Sequence, residues 1–251
     1  MTSKFLLILG IGHVLGDFYF QTDKMAQQKD KSWKGIVKHA IEYAASVLLI
    51  FLLFINMNLM KWILLYSASH LIIDEVKYKL LRTGKIKKSA KLFIIDQCAH
   101  IICIFVIAYM MEISSCTLSH YYLIDSIQQV FGFSKEKVAR WILAILIIHE
   151  PANILIQSIL KELKDEDTVD SGTKGIAPSD MKAGRKIGSI ERLIMLLFIA
   201  MNQYTAMGMV LTAKSIARYD QITKEQTFAE YYLIGTLLST ASVVICKVIL
   251  L

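Results

Sequence analysis

Histidine and aspartate recur as pairs spaced four residues apart in the N-terminal half of this 251-residue chain. On an α-helix, residues four apart lie on the same face, one turn from each other, so each pair can present an imidazole and a carboxylate together. All three pairs lie in or beside strongly apolar segments, where ionisable side chains are costly and normally pair or form a functional site. The pairs are His13/Asp17, His70/Asp74 and, in reverse order, Asp96/His100.

Imidazole and carboxylate one turn apart can chelate a divalent cation, and zinc, manganese and iron all accept such mixed ligands. The candidate set is larger than one tetrahedral zinc needs, which predicts either two metals or a division between ligands and supporting residues. A metal there could activate water for attack on an ester or phosphodiester at the lipid interface, with Asp17 or Asp96 as general base. The predicted ligands are His13, Asp17, His39, His70, Asp74, Asp96 and His100.

Two other interpretations of these residues stay open. Histidines and carboxylates placed along helices also serve proton relays and cation transporters. They could instead form a polar seam that ties helices together in a non-enzymatic assembly protein. A transporter is expected to hold its site near the middle of the membrane, whereas this cluster is predicted at one edge, which favours a catalytic or binding pocket.

Further polar residues adjoin the cluster or lie in the C-terminal half. Gln21 and Gln97 could orient ligands or water, and Lys77, in a basic loop, could hold a phosphate. Lys214 and Arg218 share a helix face, and Glu230 could neutralise one of them. Two interpretations of these C-terminal residues are equally supported. They could form an ion-paired junction between helices, or an anion site for a lipid phosphate or a substrate carboxylate. The C-terminal candidates are Glu191, Arg192, Lys214, Arg218 and Glu230.

Composition indicates a membrane protein. The chain is 55% hydrophobic with two prolines, and its charges are segregated between long apolar runs, as in polytopic α-helical proteins. The net charge of +7 is better explained by cytoplasmic loops than by nucleic-acid binding. The four cysteines form no C-x-x-C motif and are predicted to be buried apolar residues rather than disulfides or zinc ligands.

The pattern predicts an all-α transmembrane bundle of about seven spans. A half at 1–112 would carry the cluster on four helices, and a half at 113–251 would add three helices and polar loops, the two packed as one domain. A short amphipathic helix is expected near 121–131, and a loop over 161–185. The predicted spans are 5–20, 40–55, 59–73, 92–111, 141–160, 190–212 and 231–251.

The positive-inside rule places the N-terminus outside, because the segments 21–38, 75–91 and 161–192 hold most of the lysines and arginines. In this orientation all three His/Asp pairs and His39 fall near the cytoplasmic ends of the first four spans. Antiparallel helices with short connections would bring them together. The His-x-x-x-Asp pattern of spans one and three also suggests a duplicated helical hairpin.

The motifs, taken as a set, resemble an uncharacterised bacterial family of integral membrane proteins with a domain of unknown function. The resemblance implies a multi-pass protein of the bacterial inner membrane, and it brings no activity. The predicted site at the lipid interface makes membrane lipid the expected partner. The His/Asp pattern is also distantly similar to proteins described as membrane-bound metal-dependent hydrolases. The motifs are His13-x-x-Gly16-Asp17-Phe18-x-Phe20-Gln21, His39, His70-x-x-x-Asp74-x-x-Lys77, Asp96-Gln97-x-x-His100, Ala183-Gly184-x-x-Ile187-Gly188-x-x-Glu191-Arg192, Ala213-Lys214-Ser215 and Glu230-Tyr231-x-Leu233-Ile234-Gly235-Thr236.

Overall fold

The computed structural model describes residues 4–30, 32–52, 57–114, 116, 132, 134–170 and 178–251. Within these ranges the chain forms helices joined by short connections and contains no strand. The predicted all-α class is therefore confirmed. The helix expected near 121–131 lies outside the described residues.

Ten α-helices and one π-helical turn make up the described chain. Two of the shorter connections show side-chain caps: the Thr22 hydroxyl accepts from the Met25 amide at 3.3 Å, and the Ser89 hydroxyl accepts from the Leu92 amide at 3.1 Å. The elements are α1 Lys4–Val14, the π-turn Leu15–Tyr19, α2 Asp23–Lys29, α3 Trp33–Leu52, α4 Met57–Arg82, α5 Ala90–Ile113, α6 Lys135–Asp170, α7 Pro178–Ala200, α8 Tyr204–Ala217, α9 Tyr219–Lys224 and α10 Gln226–Leu250.

The chain divides into two compact units, Met1–Leu143 and Ala144–Leu251, with the boundary inside α6. In the first unit, α1, α3, α4 and α5 pack together, and α2 packs on α3. In the second unit, α7 packs on α8 and α10.

The first unit separates an apolar layer from a polar layer along its four long helices. The apolar core takes the first residues of α1 and α4 and the later residues of α3 and α5, as antiparallel neighbours require. It includes Phe5 and Leu9, Tyr43 and Val47, Leu59 and Tyr66, and Ile104 and Met111. The opposite end of every one of these helices carries the histidines and aspartates, so the helix directions alone bring the polar residues to one layer.

Three helices of the described chain, rather than seven, are long and apolar enough to cross a membrane: Ala90–Ile113, the Lys135–Lys164 part of α6, and Gln226–Leu250. They coincide with the predicted spans at 92–111, 141–160 and 231–251. α1 has only 11 residues before the π-turn, and α4 carries charged residues from Asp74 to Arg82. The other helices are thus too short or too charged to be identified as membrane spans from their own sequence.

The predicted single span at 190–212 is wrong, because α7 ends and a separate helix begins. Asn202 adopts the left-handed conformation with φ of 58°. The Gln203 amide donates to the Phe198 carbonyl at 2.7 Å and the Asn202 amide to the Ile199 carbonyl at 3.0 Å, which is the Schellman arrangement that terminates helices. Asparagine is the commonest residue after glycine that accepts this conformation.

The expectation of a loop over 161–185 also differs from the structure. α6 continues to Asp170 and α7 begins at Pro178, leaving 171–177 outside the described residues. Lys161, Glu162 and Lys164 are strong helix formers, so polar composition here extends a helix rather than ending it. Proline at the first position of α7 is favourable, because that position needs no amide donor.

The outer faces of the helices are strongly apolar. Ile102 and Phe105 on α5 are 62% and 56% exposed, and Val248 on α10 is 75% exposed. Contiguous exposed apolar residues on this scale mark a membrane or protein contact surface. Together with the three candidate spans, these faces indicate membrane association.

Candidate metal centre

Asp17 reaches the polar layer from a π-helical turn at the end of α1. The Phe20 amide donates to the Leu15 carbonyl at 2.9 Å, five residues back. Gly16 faces α3 so closely that a Cβ atom there would lie 2.7 Å from Tyr43 Cδ2 and 2.8 Å from Ser46 Oγ. π-turns inside helices frequently occur at functional sites. Here the turn changes the direction of the Asp17 side chain while keeping its backbone against α3.

Four side-chain ligand atoms from three elements, the π-turn, α3 and α4, converge in the polar layer. His39 Nε2 lies 3.1 Å from His70 Nε2 and 3.3 Å from Asp17 Oδ1. Asp74 Oδ2 lies 3.5 Å from His39 Nε2 and 3.4 Å from His70 Nε2. The fifth separation, from His70 Nε2 to Asp17 Oδ1, is 3.9 Å. We call these four residues the His/Asp centre.

These separations are close to those expected around a bound cation. Ligand bonds of about 2.0–2.1 Å around zinc place the ligand atoms about 3.4 Å from each other. Five separations within the His/Asp centre range from 3.1 to 3.9 Å, and Asp17, His39 and His70 have ligand atoms close enough to hold an ion together. Two imidazoles and two carboxylates are also an ordinary ligand set for zinc, manganese or iron. The residues of the centre could therefore hold a divalent metal ion.

The four residues are buried, with exposed fractions of 7% for Asp17 and no more than 2% for the others. The Gln21 amide nitrogen lies 3.1 Å from His39 Nδ1. A ring contact of this kind fixes the orientation of an imidazole, which is the usual role of a residue supporting a metal ligand. Gln21 thus lies against the ring of His39, where it could hold the orientation of the imidazole.

His13 and His100 form a second layer of imidazoles beside His70. Their ring centroids lie 5.0 Å apart, and the His70 and His100 rings stack at 4.3 Å. His13 Nε2 contacts Gln97 Oε1 at 3.1 Å, and His13 Nδ1 contacts the Tyr43 hydroxyl at 3.3 Å. His13, His70 and His100 also have ligand atoms close enough to hold a cation together.

A third possible group contains Asp74, Asp96 and His100. His100 Nε2 lies 3.9 Å from Asp96 Oδ1, and the other Asp96 oxygen accepts from Lys77 Nζ at 2.8 Å. Among the described residues, His100 Nε2 and Asp96 Oδ1 are buried atoms with no hydrogen-bond partner. Buried polar atoms in this state call for a ligand or an ion. These three residues are the candidate ligands for the predicted second metal.

The structure therefore brings all seven predicted ligands into one buried region, together with Gln21, Lys77 and Gln97. It also adds two residues that the sequence analysis missed. Tyr43 stacks on His70 with a centroid distance of 3.6 Å and an interplanar angle of 6°. Tyr43 follows His39 by four residues, which is the spacing of the His/Asp pairs. This spacing could have identified Tyr43 from the sequence.

Lys29 is the second missed residue. Its ammonium lies 3.2 Å from Asp17 Oδ1 and 3.0 Å from Asp74 Oδ1, and the residue is only 6% exposed. Burial disfavours the charged form, but the nearby carboxylates of Asp17 and Asp74 outweigh it and hold the pKa of Lys29 above its ordinary value. In the sequence it is one of five lysines in a polar segment. Lysines of cytoplasmic loops are common in membrane proteins, so nothing in the sequence distinguishes Lys29 from the other four.

The C-terminal candidates lie in the second unit. Lys214 pairs with Glu191 at 2.7 Å, in place of the expected Glu230. Arg218 donates to Gln221 Oε1 at 2.8 Å, and Glu230 accepts from Gln226 at 3.2 Å. These contacts are local, and they favour the ion-paired helix junction over the anion site.

Arg192 is buried and uses its donors within the second unit. Its Nε donates to the Ile148 carbonyl at 2.6 Å, its Nη1 to Ser239 Oγ at 3.1 Å, and its Nη2 to Asn153 Oδ1. Pro151 lies inside α6 and lacks an amide hydrogen, which disturbs the helical bonding of the preceding turn. Arg192 therefore stabilises the proline-containing part of α6 rather than offering an open anion site.

The fold and the centre together define an all-helical, membrane-associated protein with buried His/Asp groups that could hold a metal ion. Residues 5–130, half of the chain, match the model of the family described as protein of unknown function (DUF3307). The chain belongs to this family. The match includes every residue of the His/Asp centre, whereas the motifs at 183–236 lie beyond it. No curated protein and no solved structure matches the chain significantly.

Proposed function

We propose that the protein is a membrane-embedded metalloprotein whose His/Asp centre binds a divalent cation and hydrolyses a lipid or lipid-linked phosphate. The observation that carries the proposal is the convergence of ligand atoms from His39, His70, Asp17 and Asp74, with five separations of 3.1–3.9 Å among them. A bound cation would supply a Lewis acid that lowers the pKa of water and polarises a phosphoryl oxygen.

The chain's own residues divide the remaining work in this proposal. Asp96 is the candidate base, because its Oδ1 lies outside the four-atom set and is not engaged by Lys77, which holds Oδ2. Gln97 lies between His13 and Asp17, at 3.1 and 3.3 Å, and positions both. Asp17, the other base predicted from the sequence, is better placed as a ligand, because its Oδ1 belongs to the set.

A neighbouring cleft supports the choice of substrate. It has a volume of about 480 Å³ and is lined by residues of the α2–α3 connection and of α4. Tyr78 in its wall lies one turn beyond Asp74, so the cleft adjoins the centre along the same helix. Arg82 contributes a guanidinium, the side chain best suited to phosphate, and Trp33 and Leu81 contribute apolar surface. This combination suits a phosphate attached to a lipid.

We further propose that the bundle is a multi-pass protein of the bacterial inner membrane, with the centre near the cytoplasmic face. The support is the positive-inside bias of the loops and the layer of polar residues at one end of the first unit. In this proposal α1 and α4 are embedded by packing on α5 rather than by their own hydrophobicity.

The test measures the metal content of each purified protein and its release of phosphate, both on the same preparation. We expect the purified protein to retain about one zinc, manganese or iron ion per chain, and His70→Ala to lose it with its helical circular dichroism unchanged. His149→Ala, a histidine variant in the second unit, is the matched control and should keep the metal. Release of phosphate from a short-chain phosphatidate should follow metal content across the three proteins.

Absence of metal from the wild-type protein, even after incubation with each cation, would reject the proposal. The remaining interpretation would be that the histidines and aspartates only hold the helices together. A second function is favoured by one contact, the 3.1 Å approach of His39 Nε2 to His70 Nε2, which could pass a proton between rings. Bound metal without phosphate release, combined with cation or proton flux into liposomes that His70→Ala abolishes, would assign the protein to transport.

A further inference from the structure

Lys29 contacts the His/Asp centre in a way that a simple metal site does not require. Its ammonium touches both carboxylates, at 3.2 Å from Asp17 Oδ1 and 3.0 Å from Asp74 Oδ1. Lysine is almost never fully buried unless it is paired, and this side chain is 7% exposed. The contact is therefore a specific feature of the centre rather than an incidental surface pair.

The charges of the centre show why the contact matters. Asp17 and Asp74 bring two negative charges, and Lys29 neutralises one of them, while Lys77 neutralises Asp96 at 2.8 Å. A divalent cation alone would balance Asp17 and Asp74 completely. A cation added beside Lys29 would leave one surplus positive charge in a buried site, where like charges repel strongly.

The two cations also compete for the same atom. Asp17 Oδ1 is one of the four donor atoms near His39 and His70, and it is also the acceptor of the Lys29 ammonium. A carboxylate oxygen that is hydrogen-bonded to an ammonium is a poorer metal ligand, because the ammonium withdraws its negative charge.

Lys29 is adjacent in sequence to the wall of the cleft. It is the last residue of α2, and the next residue, Asp30, lines the 480 Å³ cleft. The lysine side chain is a flexible four-carbon stem that can reorient without movement of the backbone. In the cleft the ammonium would face the carboxylate of Asp30, which is now paired with Lys88.

We propose that Lys29 is an exchangeable counter-cation of the His/Asp centre, which a divalent metal displaces from Asp17 and Asp74 toward the cleft. This inference rests on the proposed metal site. It adds that competition with Lys29 sets the affinity of the site for the metal. Lys29 holds the carboxylates together, and it makes the centre release metal more readily than the ligand set alone would.

The test compares Mn²⁺ affinity of the wild-type protein with Lys29→Met, which keeps the length of the side chain and removes its charge. Electron paramagnetic resonance of free Mn²⁺ should show binding to Lys29→Met tighter by about tenfold or more, as the loss of one close like charge predicts. Lys29→Arg should bind no tighter than wild type. Lys79→Met, which removes an exposed ammonium from α4, should also leave the affinity unchanged.

A second measurement needs no variant. Reductive methylation followed by mass spectrometry should find Lys29 protected without metal and reactive when Mn²⁺ is added. Equal or weaker Mn²⁺ binding by Lys29→Met, or protection of Lys29 that Mn²⁺ does not change, would overturn the exchange while leaving the metal site intact. Failure of both proteins to bind Mn²⁺, zinc and iron would instead reject the metal site itself.

Discussion

At the scale of residues, the three buried aspartates of the polar layer each contact a lysine, but they share only two lysines. Lys29 contacts Asp17 and Asp74, and Lys77 contacts Asp96. Breaking a buried ion pair by removing one partner costs more than the pair contributes, because the remaining charge stays buried. One negative charge of the aspartates is therefore left over by the lysines, and a bound cation could balance it.

Lys77→Met is expected to destabilise the protein by about 3 kcal/mol, because it leaves the buried carboxylate of Asp96 without its ammonium. Thermal unfolding in detergent measures the loss. Adding Asp96→Asn should restore most of it, since no buried charge then remains.

Lys79→Met provides the comparison on the same helix. Its ammonium is 67% exposed and pairs with Glu75, so its loss should cost no more than about 0.5 kcal/mol. Equal destabilisation by the two lysine variants would show that the Lys77–Asp96 contact is not a buried pair.

The sequence indicated the paired residues of the polar layer because their spacing is local. His70 and Asp74 share one helical turn whatever the tertiary structure, and the helix directions followed from the apolar pattern. Lys29 could not be found in this way, since its partners lie 12 and 45 residues away. Its burial depends on how the short α2 packs, which no periodic pattern of seven residues reveals.

At the scale of elements, the position of Lys29 depends on the junction between α2 and α3. Ser32 begins this junction, with its hydroxyl accepting from the Gly35 amide at 3.1 Å. A Cβ atom at Gly35 would overlap the carbonyl group of Gln28, which precedes Lys29. The absence of a side chain at this position therefore allows the end of α2 to lie against the start of α3.

Gly35→Ala is expected to move the end of α2 away from α3 and withdraw Lys29 from the carboxylates. The thermal midpoint should fall, and Lys29 should become reactive toward methylation in the absence of metal. Gly208→Ala is the matched control, because no atom lies within 4 Å of a Cβ atom there. Alanine inside α8 should raise the stability by up to about 1 kcal/mol through helix propensity.

An unchanged thermal midpoint and an unreactive Lys29 in Gly35→Ala would contradict this account of the junction. Such contacts explain why element boundaries were harder to predict than the helices themselves. The break at Asn202 and the π-turn at Leu15–Tyr19 both occur inside apolar runs. The hydrophobic pattern continues through them, and only the backbone conformation reveals them.

At the scale of the whole molecule, the central question is which side of the membrane the polar layer faces. α5 connects the two layers of the first unit, with Asp96 and His100 near its start and Met111 of the apolar core near its end. It is also one of the three helices able to span a membrane alone. The ends of α5 therefore report the orientation of the His/Asp centre.

We expect the segment before α5 to face the cytoplasm and the segment after it to face outward. Lys87→Cys and Ser114→Cys, each placed in a chain whose four native cysteines are replaced by serine, test this in intact bacterial cells. A membrane-impermeant maleimide should label Ser114→Cys alone, and Lys87→Cys should react only after permeabilisation. The reverse pattern would place the centre at the outer face, where a cytoplasmic substrate could not reach it. Labelling of both variants in intact cells would show that α5 does not cross the membrane, and the bundle would then contact lipid only through its apolar faces.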